Sequence, residues 1–95
     1  MNVRYYRDPD TGLPHIYGHA VTEQEVEEVL RRPIENLPGW RGSRVVIGRT
    51  RAGRTLKVVC VPDDDSAGVF VVTAFDLKGK PLRAFKRRTR RRGAP

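Results

Sequence analysis

The stretch from Arg44 to Phe75 limits the fold of this chain more than any other. It holds three runs rich in β-branched and aromatic residues, Arg44–Thr50 (RVVIGRT), Thr55–Val61 (TLKVVCV) and Val69–Phe75 (VFVVTAF). The first two are separated by Arg51-Ala-Gly-Arg54, a short hairpin loop in which Gly53 is available for positive φ. Pro62-Asp-Asp-Asp-Ser-Ala-Gly68, a polar turn, joins the second to the third. Links this short favour neighbouring antiparallel strands, so the segment reads as a meander. The central run is nearly all apolar, which puts it in the middle of the sheet with a helix on one face.

That helix is the best-marked element. Thr22 is the expected N-cap, and Glu25 three residues on completes the capping-box spacing that satisfies two backbone donors reciprocally. Val21 and Val26 take the staple positions. Val26, Val29 and Leu30 fall on one face, while Glu23, Glu27 and Glu28 face outward as a solvated surface. Arg31 and Arg32 suit the negative end of the dipole and Pro33 stops the run, giving a helix over about 22–32.

The ends carry weaker signals. Val3–Tyr6 reads as a short edge strand and Asp8-Pro-Asp-Thr-Gly12 as a turn. Pro14-His-Ile-Tyr-Gly-His19 holds both histidines, and Pro14 and Gly18 argue against a helix there. The linker Pro38-Gly-Trp-Arg-Gly42 reads as a loop. From Lys80, Pro81 fits a first helical turn, Leu82 and Phe85 make an i, i+3 apolar pair, and the helix runs on into the arginines. With 95 residues and 38% hydrophobic content there is one core, so residues 1–95 form a single α+β domain with a basic extension over about 80–95.

Charge indicates the partner. Nineteen Lys and Arg against eleven Asp and Glu give +8, which points to a polyanion. Lys86–Arg92 (KRRTRRR) supplies six of the basic residues and no acid, so the remainder carries only +2. The N-terminal MNVRYYRDPD lacks the apolar segment of a secretory signal, and no apolar run approaches the roughly 20 residues a bilayer requires. The expectation is a soluble cytoplasmic protein without a membrane partner.

Metal and nucleophile patterns are missing. His15 and His19 lack a nearby carboxylate within their motif, Asp63-Asp-Asp65 reads as a solvated hairpin tip, and the lone Cys60 lies in an apolar run as a small buried hydrophobe. No metal and no cofactor are expected. A basic set remains, with Arg49, Arg51, Arg54 and Lys57 flanking the first hairpin and Arg83 with the tail. Several arginines around one or two histidines suit metal-independent cleavage of RNA, in which the ribose 2′-OH attacks the adjacent phosphate. Histidine moves protons near neutrality and guanidinium stabilises charge developing on phosphorus.

Three motifs carry a family resemblance over roughly residues 15–76. Gly18-His-Ala-Val-Thr22 followed by Glu25-Val-Glu-Glu-Val-Leu30 is similar to the Lys-His-Gly-Val-Ser lead-in to a helix. Ile47-Gly-Arg-Thr-Arg-Ala-Gly-Arg-Thr-Leu56 with Val58-Val-Cys-Val61 is similar to a hairpin reading Ile-Gly, a turn, Gly-Arg, an apolar residue and Val-Val-Tyr. Val71-Val-Thr-Ala-Phe75 is similar to a last strand Ile-Ile-Ser-Ala-Arg. Together they resemble the RelE/ParE toxin superfamily, specifically the small BrnT-like toxins and their sister families. The departures are Phe75 for the arginine, Cys60 for the tyrosine, and Val-Arg-Tyr-Tyr in place of the Phe-Glu-Trp-Asp start. The segment Gly79–Arg88 is closer to the sister families.

The resemblance implies a RelE-like fold: a short N-terminal strand, one main helix packed on an antiparallel three-to-four-stranded sheet, and a basic C-terminal helix. It implies the toxin of a type II toxin–antitoxin pair, an endoribonuclease acting on mRNA, free or on the ribosome, and neutralised by a small antitoxin protein. Carried over by position, His19 is the general acid/base, Arg49 and Arg54 hold the scissile phosphate and Thr73 positions it. Arg51, Lys57, Arg83, Lys86, Arg87, Arg88, Arg90 and Arg91 form the expected nucleic-acid-binding set. An apolar groove involving Trp40 and Phe85 is the expected antitoxin seat, with Trp40 as a core anchor the other reading. The alternative in function is a non-catalytic module that binds nucleic acid or protein on the same fold.

Overall fold

A computed structural model describes residues 2–63 and 67–93; Asp64 and Asp65 of the acidic tip, and the side chain of Arg92, lie outside that set. In chain order the elements are β1 (Asn2–Tyr5), a 3-10 turn (His15–His19), α1 (Glu23–Arg31), β2 (Glu35–Pro38), a second 3-10 turn (Trp40–Gly42), β3 (Arg44–Arg49), β4 (Thr55–Pro62), β5 (Gly68–Asp76) and α2 (Gly79–Gly93). The described strands form one five-stranded sheet in the order β1-β5-β4-β3-β2.

The expected meander forms, with β4 antiparallel to both β3 and β5. The sheet is wider than the expected three or four antiparallel strands, and it is mixed. β1 adds to β5 in parallel, Val3 opposite Val69, and β2 adds antiparallel to β3, Glu35 opposite Ile47. Glu-Asn-Leu-Pro has no strand signature of its own. It is an edge strand, where a proline's missing N–H is tolerated. The parallel pair is closed by more than 60 residues of intervening chain, a relationship that local periodicity does not carry.

Alternation along the strands divides the side chains between two faces. One face, with Val46, Leu56, Val58, Cys60, Val71 and Ala74, packs against Ile16, Val21, Val26 and Val29. A register shift at Val59/Cys60 lets Val71 and Ala74, three residues apart, both point into that core. Contact with α1 is close at Gly48, where a Cβ would lie 3.2 Å from Val29 Cγ1 and 3.3 Å from the Arg32 carbonyl oxygen. The Thr22–Glu25 capping box is present in both directions and starts α1.

The opposite face carries a second, smaller core of Ile47, Leu77 and Phe85, flanked by Val45 and Leu82. α2 is therefore docked on the sheet through its apolar stripe and covers one corner of that face. Phe85 is fully buried while Trp40 is 78% exposed. The two do not line a common groove, and Trp40 is no core anchor. Its ring stands out on a turn that Arg41 enters at φ +53, beneath the Arg41 guanidinium. The segment His15–His19 is a 3-10 helix despite Pro14 and Gly18; proline suits the position before a first turn, and five residues end at Ala20 in the left-handed region. No helix among the described residues is long and apolar enough to cross a membrane.

Candidate functional site

Both histidines stand at the margin of β5, beyond the point where β1 stops pairing. The Tyr6 N–H donates to the Val71 carbonyl at 2.9 Å, and the chain then turns away through Asp8–Leu13 and returns, His15 N–H to Tyr6 carbonyl, at 2.8 Å. That excursion brings Asp8 beside His15, with Asp8 Oδ1 2.8 Å from His15 Nδ1. When Nδ1–H donates to the carboxylate, the neutral ring keeps its lone pair on Nε2, so the contact selects a tautomer suited to accept a proton.

A row of rings continues from this pair. Tyr6 and His15 have centroids 6.0 Å apart, His15 and His19 meet edge-on at 5.1 Å, and His19 lies 6.0 Å from Phe75. Lys57 Nζ stands 5.9 Å from the Phe75 centroid, since Lys57 is the residue opposite Phe75 in the β4–β5 ladder. Thr73 is two residues before Phe75 on the same strand and shares its face. The structure thus sets His19 and Lys57 each about 6 Å from the Phe75 ring, adds His15 and Asp8, and leaves Thr73 one strand repeat away on the same face. A sequence carries no pointer to Asp8 beyond its turn propensity, because the pairing depends on how the loop closes. Phe75, a departure from the family pattern, gives the row an aromatic face.

Arg54 does not join the row. Its side chain lies on the α1 face of the sheet, where Nε and Nη2 donate to Asp76 Oδ1 and Oδ2, each at 3.0 Å. Nη1 donates to both Glu25 oxygens at 2.8 Å and to the Ala20 carbonyl at 2.9 Å. The guanidinium holds the Asp76 carboxyl below the usual carboxylate range. Burial pushes Glu25 up, but the Thr22 backbone N–H and Arg54 outweigh it and leave that carboxyl lowered as well. Both acids raise the Arg54 pKa further, so it is a permanent cation with its charge already compensated. Ala20 directly follows His19. Arg54 therefore ties the backbone at the histidine row to the end of β5, which is a positioning role.

Arg49 is also separate. It pairs with Thr55, two strands from β5 and two residues beyond the Lys57–Phe75 level. Strand spacing then puts its Cα about 12 Å from that of Phe75. Its guanidinium lies over the buried Phe85 ring at 5.7 Å.

The remaining cations divide by partner. Arg88 is held by Glu35, Nε to Oε2 at 2.8 Å and Nη2 to Oε1 at 2.9 Å, and the Glu35 side chain is wholly buried. This pair fastens α2 to the edge strand β2, so Arg88 serves the fold rather than the expected nucleic-acid surface. Arg4 pairs with Asp63, and Arg44 donates to Asn36. Among the described residues, Arg49, Arg51, Arg83, Lys86, Arg87, Arg90 and Arg91 form no ion pair with a carboxylate. Their side-chain charge is not compensated by a described carboxylate.

The model of one family, described as a domain of unknown function (DUF4258), matches residues 19–76. No curated protein and no solved structure matches the chain.

Proposed function

Since this chain belongs to the DUF4258 family, we propose its function from its own side chains: it is a metal-independent endoribonuclease working at the His15–His19 pair. The observation that carries this reading is the continuous row Asp8, His15, His19, Phe75, Lys57 at one open sheet margin. His15 Nε2 takes the proton of a ribose 2′-OH as its oxygen bonds to the adjacent phosphorus. Protonated His19 gives its proton to the departing 5′-oxygen as the P–O5′ bond breaks. The products are a 2′,3′-cyclic phosphate and a 5′-hydroxyl end, with atoms and protons conserved between the two rings. Phe75 offers a face on which a base stacks, Lys57 offsets charge on the phosphoryl oxygens, and Thr73 offers a hydroxyl beside them.

In this reading the domain is a RelE-like one, the protein is a cytoplasmic toxin acting on mRNA, and a small antitoxin protein is its natural partner. Arg54 supports the site from behind instead of holding phosphate. The test is incubation of the purified protein with RNA in excess EDTA, with fragment ends mapped, repeated with ribosome-bound mRNA. Cyclic-phosphate ends that vanish in His15→Ala and His19→Ala are expected. Cleavage that persists unchanged in both variants refutes the assignment.

A second reading is a non-catalytic nucleic-acid-binding module. It is favoured by the separation of Arg49 from the histidine row and by the internal pairing of Arg54 and Arg88. Intact RNA in both assays, with oligonucleotide binding retained, selects it.

A further inference from the structure

The geometry points to a phosphate-backbone track centred on Arg49, separate from the histidine row, that takes a single-stranded RNA across the β3–β4 hairpin and along α2. The RNA identity of the ligand rests on the function proposed above; the track itself rests on the following placement.

Three depressions meet at Arg49, which lines each of them. The largest, about 540 Å³, lies between α1 and the hairpin and includes Arg31, Arg32 and Arg51. A second of about 400 Å³ runs towards Lys78 and Lys86. The third, about 390 Å³, is bounded by Arg49, Lys86, Thr89 and Arg90, with no acid among the described residues of its wall. The acids that border the first two are already engaged: Glu27 faces Arg31 at 3.7 Å, Glu28 Oε1 accepts from the Arg51 backbone N–H at 3.1 Å, and Asp76 holds Arg54. Positive charge is thus left over along the whole line.

Arg49 is suited to the centre. It is exposed and has no carboxylate partner among the described residues, yet its guanidinium rests on the buried Phe85 ring, so the fork is oriented without being neutralised by them. An oriented, uncompensated guanidinium matches phosphate bidentately. Lys86 and Arg90 follow one helical turn apart, about 6 Å along α2, and continue the cationic line beside it.

The experiment is fluorescence anisotropy of the full chain with a labelled 2′-O-methyl oligoribonucleotide, which lacks the attacking hydroxyl, titrated between about 50 and 200 mM salt. One variant combines Arg49→Gln, Lys86→Gln and Arg90→Gln; glutamine keeps a stem over Phe85 and so protects the fold. Its charge-matched control combines Arg83→Gln, Arg87→Gln and Arg91→Gln on the neighbouring exposed stripe of α2. The track variant should bind at least about tenfold more weakly, and its log–log salt slope should be shallower by about 2, as loss of three phosphate contacts requires. The control should lose far less. Equal losses in the two triple variants, no loss in the track variant, or no binding by the wild type each overturn the track. Loss of cleavage chemistry with the track intact would instead remove only the ribonuclease reading.

Discussion

Arg54, just before β4, and Asp76, at the end of the neighbouring β5, face each other in a two-pronged pair, Nε to Oδ1 and Nη2 to Oδ2, both 3.0 Å. The third prong reaches Glu25 and the Ala20 carbonyl, so one side chain fastens α1, the turn after His19 and the end of β5. With only 28% of the side chain exposed, the arrangement is shielded enough to matter.

Arg54→Ala is therefore expected to lower stability by about 2 kcal/mol, since it leaves two partly buried carboxylates without their cation. Arg54→Lys should recover little of this, because an ammonium does not reproduce the planar fork. Urea denaturation of the two variants decides it. Full recovery by lysine would show that charge alone, not geometry, holds the joint.

Acid should weaken the protein through the same carboxylates. Asp76 and Glu25 are lowered in the folded state, and Asp63 is lowered by Arg4. The unfolded chain then binds more protons as the pH falls past the ordinary carboxylate range near about 4. The stabilisation is complete above that range and is lost as pH drops through the depressed folded values. Melting temperature should be flat from neutrality to about pH 5 and fall below about pH 4, with a shallower fall in Arg54→Met. Identical acid profiles for the wild type and Arg54→Met would contradict this account.

The docking of α2 rests on Arg88 and Glu35 as well as on Phe85. Arg88→Ala removes the guanidinium from a buried carboxylate and should cost about 3 kcal/mol, with faster amide exchange along α2. Arg88→Leu combined with Glu35→Leu should restore much of the stability, because an apolar pair carries no desolvation penalty. If the double variant is no more stable than Arg88→Ala, the pair is not the fastening.

Asp8→Asn tests the site. Loss of the carboxylate frees His15 to adopt the other tautomer, so the cleavage rate should fall by about 10- to 100-fold with little change in RNA affinity. Unaltered kinetics would mean that Asp8 does not orient the histidine.

Elements whose reasons lie within a few residues were legible. The Thr22–Glu25 box, the meander and the start of α2 near Pro81 all come from short-range spacing, and they stand where that spacing puts them. Glu35–Pro38 was not, because its partner across the ladder, and not its composition, makes it a strand. The candidate site was half visible. His19, Thr73 and Lys57 were named, but Asp8, His15 and Phe75 join them only through loop closure and strand register.

The local pattern of this chain alone determines an α+β domain with a capped helix, a three-strand meander and a basic terminal helix, because hydrogen-bond geometry and amphipathic period act over one or two turns of chain. Which of the nineteen Lys and Arg residues are spent on the fold was decided only in three dimensions. Arg54 finds Glu25 and Asp76 at separations of 29 and 22 residues, and Arg88 finds Glu35 at 53. Ion pairing depends on distance and burial, not on position along the chain. Folding therefore sorts identical side chains into braces and free donors.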